Sequence, residues 1–259
     1  MTANLNARLL LDRISIYGAM VEIGCNLLAI GPRTGVDFRA LVAPGQEEET
    51  AAELIPFLRD SGLVDLSKGQ LCLAKHYRSD WTVQANLLCL LHRRTDVNYV
   101  FRFVWEALLD RPEWCNTFVN RDEVWPVVNQ MPVPGASIPQ LNSNRMSSWM
   151  RLASWIGLIQ PERSNSFILV PTESLVIQLL SYVLVPGKES ALSTWVSAVE
   201  AQFCKMTTGP GQLHHGFAVV LSRLKEKGAI NFITYSDEIS FQIGSEHVSH
   251  MVLRKERAA

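Results

Sequence analysis

The sequence predicts a mainly helical α+β protein in which short β-hairpins follow amphipathic helices. One pattern occurs three times along the 259 residues: a helix that ends at glycine, an apolar pair, and a hairpin. Hydrophobic residues make up 47% of the chain and charged residues 19%, which is typical of a folded protein with a sizeable core. The content of glycine and proline is too low for a collagen-like or largely disordered chain.

The first copy of the pattern has its helix at residues 53–60. Gly62 ends this helix, because glycine adopts the left-handed conformation of a helix end without a steric penalty. An apolar pair then begins a strand, and a Lys-Gly turn leads to the returning strand at residues 71–73. Pro56 is expected to interrupt the helix, since proline cannot donate the backbone hydrogen bond of a helix interior.

The second copy has its helix at residues 146–156 and its terminating glycine at Gly157. Leu158 and Ile159 are the apolar pair, and a polar turn precedes a second strand at residues 167–170. This copy therefore predicts a helix followed by a short hairpin.

The third copy has its helix at residues 213–227 and its terminating glycine at Gly228. Residues 229–235 and 239–243 alternate between apolar and polar side chains, as the strands of a hairpin with one solvated face require. We therefore expect these two segments to pair with each other.

Two strongly apolar segments, residues 81–91 and 99–109, separate the first copy from the second. Each is shorter than the roughly 20 residues that a membrane-spanning helix needs, so they are predicted to be buried helices and no membrane partner is expected. The predicted domains are a degenerate first domain at 1–78, bridging helices and a second domain at 79–172, and a third domain at 173–259.

The segment at residues 221–230, with the hairpin after it, resembles the recognition helix and wing of winged helix-turn-helix domains. The resemblance covers residues 192–243 best, with 207–212 as the turn, and extends to residues 124–170. It implies tandem winged-helix-like domains joined by apolar bridging helices. Winged helices serve in repressors, replication proteins, defence complexes and purely protein-binding subunits, so the resemblance indicates fold more than function.

The helix of the second copy carries polar residues of the types that contact DNA. Arginine binds guanine or phosphate, asparagine pairs with adenine, and serine commonly contacts phosphate. The candidate nucleic-acid contacts on this helix are Asn144, Arg145, Ser147, Ser148 and Arg151. The same pattern also fits a solvated helix face or a face that docks another subunit.

The helix of the third copy supplies the remaining candidate contacts: His214, His215, Arg223 and Lys225. Adjacent histidines do not share a helix face, and no carboxylate or cysteine stands at metal-ligand spacing beside them, so no metal site is expected. An ordinary polar helix start is the alternative interpretation.

No catalytic residue or cofactor is predicted. The phosphate-binding loop, nucleophile elbow and zinc-protease motifs do not occur in the sequence. The cysteines are odd in number, scattered and without a C-x-x-C pair, and they are expected to be buried reduced thiols. They are Cys25, Cys72, Cys89, Cys115 and Cys204.

The formal net charge is −1, so any binding of nucleic acid has to be local. The first 13 residues lack the pattern of a secretory signal, which favours the cytoplasm.

The leading hypothesis is a non-enzymatic subunit that binds double-stranded DNA and assembles with protein subunits in a bacterial DNA-processing, regulatory or antiphage-defence complex. The alternative is a protein–protein adaptor without DNA contact, resembling the tandem winged-helix accessory subunits of chromosome-organising ATPase complexes. The near-zero net charge favours the alternative. Whether the chain forms a homodimer stays open.

Overall fold

A computed structural model describes residues 9–13, 18–42, 48–96, 98–114, 117–132 and 139–254. The protein is a mixed α+β structure, about half helical, with small antiparallel sheets. The prediction of the broad fold class is therefore confirmed. Cys115 lies outside the described residues, and the other cysteines carry free thiols.

The chain divides into two compact units. Unit 1 comprises Met1–Arg102 and Trp125–Ile156, and unit 2 comprises Phe103–Val124 and Gly157–Ala259. This division follows spatial contacts, whereas the three predicted domains follow a repeated sequence motif. The three-domain boundaries therefore stay a prediction.

The first set of elements lies in unit 1. In chain order it is α1 (Gly18–Ile30), β1 (Arg33–Thr34), α2 (Gly35–Val42), α3 (Glu48–Ser61), β2 (Val64–Ser67) and β3 (Gln70–Leu73). The strands form an antiparallel sheet in the order β1-β3-β2.

The expectation that Pro56 interrupts the first predicted helix is wrong, because α3 continues through it. Leu54, Phe57 and Leu58 surround Pro56 in sequence and are buried. Burial of this apolar face offsets the loss of the backbone hydrogen bond that proline cannot donate.

Two apolar helices follow, as predicted: α4 (Val83–His92) and α5 (Tyr99–Leu109). Among the described residues no helix combines the length and the apolar character that crossing a membrane requires.

The second set of elements repeats the order of the first. It comprises β4 (Val119–Asn120), α6 (Arg121–Val128), α7 (Ser143–Ile156), β5 (Gln160–Arg163) and β6 (Ser166–Ile168). The strand order is β4-β6-β5, so the first strand again pairs with the third.

The third set lies in unit 2 and contains two additional hairpins. It comprises α8 (Glu173–Val183), β7 (Glu189–Ala191), α9 (Leu192–Gln202), β8 (Thr207–Gly209), β9 (Gln212–Leu213), α10 (His215–Glu226), β10 (Ile230–Ile233), β11 (Phe241–Ile243), β12 (Glu246–Val248) and β13 (His250–Leu253). The main sheet has the order β7-β13-β10, and the additional hairpins are β8–β9 and β11–β12.

Two sequence expectations for the third set are corrected. The segment at 239–243 does not pair with the strand at 229–235, because β11 turns at Gly244 and pairs with β12. The partner of β10 is β13, whose buried Met251 and Leu253 continue the apolar alternation. The expected turn at 207–212 is instead part of the hairpin β8–β9, which extends to Leu213.

Tryptophans anchor the cores, as the sequence predicts for residues of this size. In unit 1, Trp149 is fully buried and its indole Nε1 donates to the carbonyl of Phe101 at 3.0 Å. In unit 2, Trp105 donates to the carbonyl of Lys205 at 2.9 Å and lies edge-on to Phe217. Each buried ring therefore has its single polar group satisfied.

Candidate nucleic-acid interface

Helix α7 is defined at both ends by specific residues. Asn142 caps its start, since its side-chain oxygen accepts a hydrogen bond from the Arg145 backbone N–H at 2.9 Å. Gly157 follows its last residue with a φ of +95°, and a Cβ at this position would lie 2.4 Å from the hydroxyl of Thr172. The helix therefore has a fixed length, with one face in the core of unit 1.

The other face of α7 is a narrow polar strip, which we call the α7 strip and define as Asn144, Ser147, Arg151 and Ser154. These residues recur at the spacing of one helix face. Asn144 and Arg151 are exposed, and the two serines are half-buried. Ser154 was not among the sequence candidates, although the same spacing extended by three residues identifies it.

The surroundings of this strip in the sequence carry no negative side chain. Residues 124–161 contain no aspartate or glutamate over 38 positions, and their charged residues are Arg145 and Arg151. Helix α7 thus combines a positive helix N-terminus, small polar side chains and an exposed arginine. This carboxylate-free stretch is a second signal that sequence reasoning missed.

Burial corrects the interpretation of Ser148. Its side chain is on the edge of the core face and the residue is 7% exposed. A side chain in this position is not available for direct contact with nucleic acid. Its hydroxyl accepts a hydrogen bond from the Arg151 guanidinium at 3.4 Å.

Arg145 is held by two groups of unit 1. Its Nε and Nη2 atoms contact the two carboxylate oxygens of Asp12 at 2.7 and 3.2 Å. Its Nη1 donates to the carbonyl of Gln140 at 2.6 Å. The candidate cation at the start of α7 is therefore already paired.

Helix α10 differs from α7 because an additional hairpin packs against it. Strand β11 packs against it, with Phe241 and Ile243 buried. At Gly216 the backbone approaches the end of β6 so closely that a Cβ would lie 1.9 Å from the carbonyl oxygen of Leu169. This helix is primarily a packing element of unit 2.

The candidate residues on α10 differ in whether they are already paired. The ammonium of Lys225 pairs with Glu246 at 2.6 Å and lies 5.2 Å from the centre of the Phe232 ring. His215 and Arg223 are exposed, and the carboxylate of Glu226 is exposed on the same side of the helix. The exposed strip of α10 therefore has little net positive charge.

His214 is buried, which corrects its assignment as a nucleic-acid contact. Its Nδ1 atom accepts a hydrogen bond from the backbone N–H of Gly216 at 3.2 Å and so caps the start of α10. Burial, with a smaller contribution from neighbouring His215, lowers the pKa of His214 to about 4. The side chain is a neutral structural cap, as the ordinary-helix-start interpretation suggests.

The loops that follow β10 in unit 2 are acidic. Asp237, Glu238 and Glu246 are all exposed in the segment between β10 and β13. Glu238 lies 3.3 Å from the ring of His250. These carboxylates repel the phosphate backbone of DNA.

Charged residues of helix α3 form ion pairs within unit 1. Glu53 and Asp60 both pair with the guanidinium of Arg13, whose side chain is 3% exposed. Arg59 is exposed at the end of this helix. The three corresponding helices α3, α7 and α10 thus differ in charge and exposure.

No group of three or more metal-ligating side chains is placed to hold a metal ion within the described ranges. Burial raises the pKa of the Cys25 thiol to about 12 and also raises the pKa of Cys204. These thiols therefore stay protonated and unreactive at neutral pH.

Comparison with protein families, with curated proteins and with solved structures finds no match.

Proposed function

We propose that the chain is a non-enzymatic tandem winged-helix subunit that contacts duplex DNA through α7. The first and third repeats then serve assembly with protein partners in a bacterial DNA-processing, regulatory or antiphage-defence complex. Support for the tandem fold comes from the shared order of elements. Each repeat has a strand, two helices and two further strands, and in each sheet the first strand pairs with the third.

The observation that carries the DNA proposal is the α7 strip. Asn144 and Arg151 are exposed on it, and residues 124–161 provide no carboxylate to repel phosphate. Small serine side chains allow the helix backbone to approach a groove closely. Arginine and serine then contact phosphates, and asparagine suits a base edge.

Helix α10 of unit 2 provides the internal contrast. It also carries an exposed arginine, Arg223, but Glu226 and the acidic loops oppose it. The segment that carries α7 contributes no carboxylate of its own, and the carboxylate that contacts α7, Asp12, is paired with Arg145. We therefore assign the DNA contact to α7 and not to α10.

The test compares Arg151→Ala with Arg223→Ala in binding to a fluorescently labelled duplex across a salt series. The two variants change the net charge equally and both remove an exposed arginine from a helix. Loss of one phosphate contact reduces the slope of log affinity against log salt by about 0.9. We expect this reduction for Arg151→Ala and an unchanged slope for Arg223→Ala. Equal slopes for both variants and the parent protein would contradict the assignment.

The adaptor function is the second candidate, and α1 carries the observation that favours it. Ile23 is 45% exposed and Ile30 is 78% exposed on one face of this helix. Its one charged residue, Glu22, accepts a hydrogen bond from the indole of Trp155 at 3.0 Å. Asn26 is exposed between the two isoleucines, so the face combines apolar and polar side chains, as the rim of a protein-binding surface does.

The salt series also separates the two candidates. Folded protein that shows no DNA binding at low salt would favour the adaptor. A double variant with Ile23→Ser and Ile30→Ser tests whether this face contacts DNA. If the variant still binds the duplex, the face lies outside the DNA contact.

A further inference from the structure

The ion pair between Asp12 and Arg145 joins residues 133 positions apart at the first turn of α7. Both carboxylate oxygens face the guanidinium, one at 2.7 Å from Nε and the other at 3.2 Å from Nη2. The pair is partly open to solvent, with 25% of the Arg145 side chain and 35% of the Asp12 side chain exposed. The pair lies at the N-terminal end of α7, where the positive end of the helix dipole also lies, and Arg145 follows Asn144 in sequence.

The segment that carries Asp12 is anchored in unit 1 on both sides of the carboxylate. Leu9, Leu10 and Leu11 are buried, and the backbone N–H of Leu10 donates to the side-chain oxygen of Asn98 at 2.8 Å. Arg13 pairs with two carboxylates of α3. The Asp12 side chain is therefore placed on α7 by its neighbours and does not depend on Arg145 for its position.

The planar guanidinium binds a carboxylate or a phosphate through the same pair of parallel hydrogen bonds. The third donor group of Arg145, Nη1, is fixed on the carbonyl of Gln140 at 2.6 Å. Removal of the Asp12 carboxylate would thus leave Nε and Nη2 oriented for another anion at the positive end of a helix.

From this geometry we propose that Arg145 is a phosphate-binding residue of the DNA interface and that Asp12 occupies its phosphate position in the free protein. The inference rests on the proposed function, since it assumes that DNA approaches α7. Asp12 is then an internal competitor that weakens binding. A phosphate of the duplex must displace it before Arg145 adds a contact.

The test measures affinity for the labelled duplex, and its salt dependence, for Asp12→Asn and for the double variant Asp12→Asn with Arg145→Ala. Asparagine keeps the size of the side chain and removes its charge. Glu246→Gln is the matched control. It also removes one carboxylate from a partly exposed ion pair, in this case the pair with Lys225 of α10. Thermal unfolding of each variant checks that the chain is folded, and Asp12→Ser replaces Asp12→Asn if the latter is not.

Asp12→Asn is expected to bind the duplex several-fold more tightly, with a slope steeper by about 0.9. This slope corresponds to an additional loss of affinity of about 3.5-fold between 50 and 200 mM salt. The double variant should lose this gain, and Glu246→Gln should show none.

Two outcomes overturn the inference alone while DNA binding by the parent protein stands. One is an unchanged affinity and slope for folded Asp12→Asn. The other is an equal gain for Glu246→Gln, which would show a general effect of net charge. If neither the parent protein nor Asp12→Asn binds DNA at low salt, the proposed function fails together with the inference.

Discussion

Helices α7 and α10 occupy the same place in two repeats of one chain, yet they differ in the charge of their exposed side chains and in what packs beside them. Each is followed by a glycine with positive φ and then by a strand. The strip of α7 is polar and free of carboxylates, whereas α10 carries the insertion β11–β12 against its side. Under the proposed function, position in a repeat does not by itself identify a DNA-binding helix, because an additional hairpin occupies one side of α10.

The largest expected effect concerns the packing of α10. Gly216→Ala places a Cβ against the carbonyl oxygen of Leu169, and neither backbone segment can yield without disturbing the core. We expect the free energy of unfolding to fall by about 3 kcal/mol, measured by urea denaturation. Asn144→Ala on the exposed strip of α7 should stay within about 0.5 kcal/mol of the parent protein.

The control for this substitution is Gly31→Ala, because nothing lies within 4 Å of a Cβ at Gly31. A similar unfolding free energy for Gly216→Ala and Gly31→Ala would show that α10 is not packed as described. The comparison between the two helices would then lose its basis.

The next effect is the pH dependence of the α10 cap. The pKa of His214 is about 4 in the folded protein, below its ordinary value of 6.5, so the unfolded chain binds more protons between these pH values. Stability from this group is present above pH 6.5 and is lost as the pH falls toward 4. The loss amounts to at most about 3 kcal/mol.

Unfolding at several pH values measures this dependence. His214→Asn keeps a side-chain acceptor at the cap and removes the titrating group, so it should flatten the curve between pH 6.5 and 4. A curve for His214→Asn that is as steep as that of the parent protein would assign the acid sensitivity to other groups.

Local signals in the sequence predicted much of the secondary structure. Gly62, Gly157 and Gly228 end α3, α7 and α10, and all three have positive φ. The reason is that the end of a helix is determined by a few consecutive residues. Alternation in residues 239–243 correctly indicated a strand, but it could not identify the partner, since any strand with the same alternation satisfies it.

The candidate site was less predictable because it depends on contacts between distant residues. The amphipathic pattern of α7 identified Asn144 and Arg151 as polar positions on an exposed face. Arg145 pairs with Asp12, which lies 133 positions earlier in the sequence. A local sequence pattern cannot predict a contact over that separation. His214 was misassigned because a histidine at a helix start has the same sequence signal whether it is a buried cap or a surface contact.

The most direct test of the central claim places one carboxylate on each helix in turn. Ser147 on α7 and Ser222 on α10 are both half-buried serines, so Ser147→Glu and Ser222→Glu form a matched pair with the same change of charge. We predict that Ser147→Glu weakens binding of the duplex at least about tenfold, because the carboxylate faces phosphates, and that Ser222→Glu leaves the affinity unchanged. A larger loss for Ser222→Glu than for Ser147→Glu would contradict the assignment of the DNA contact to α7.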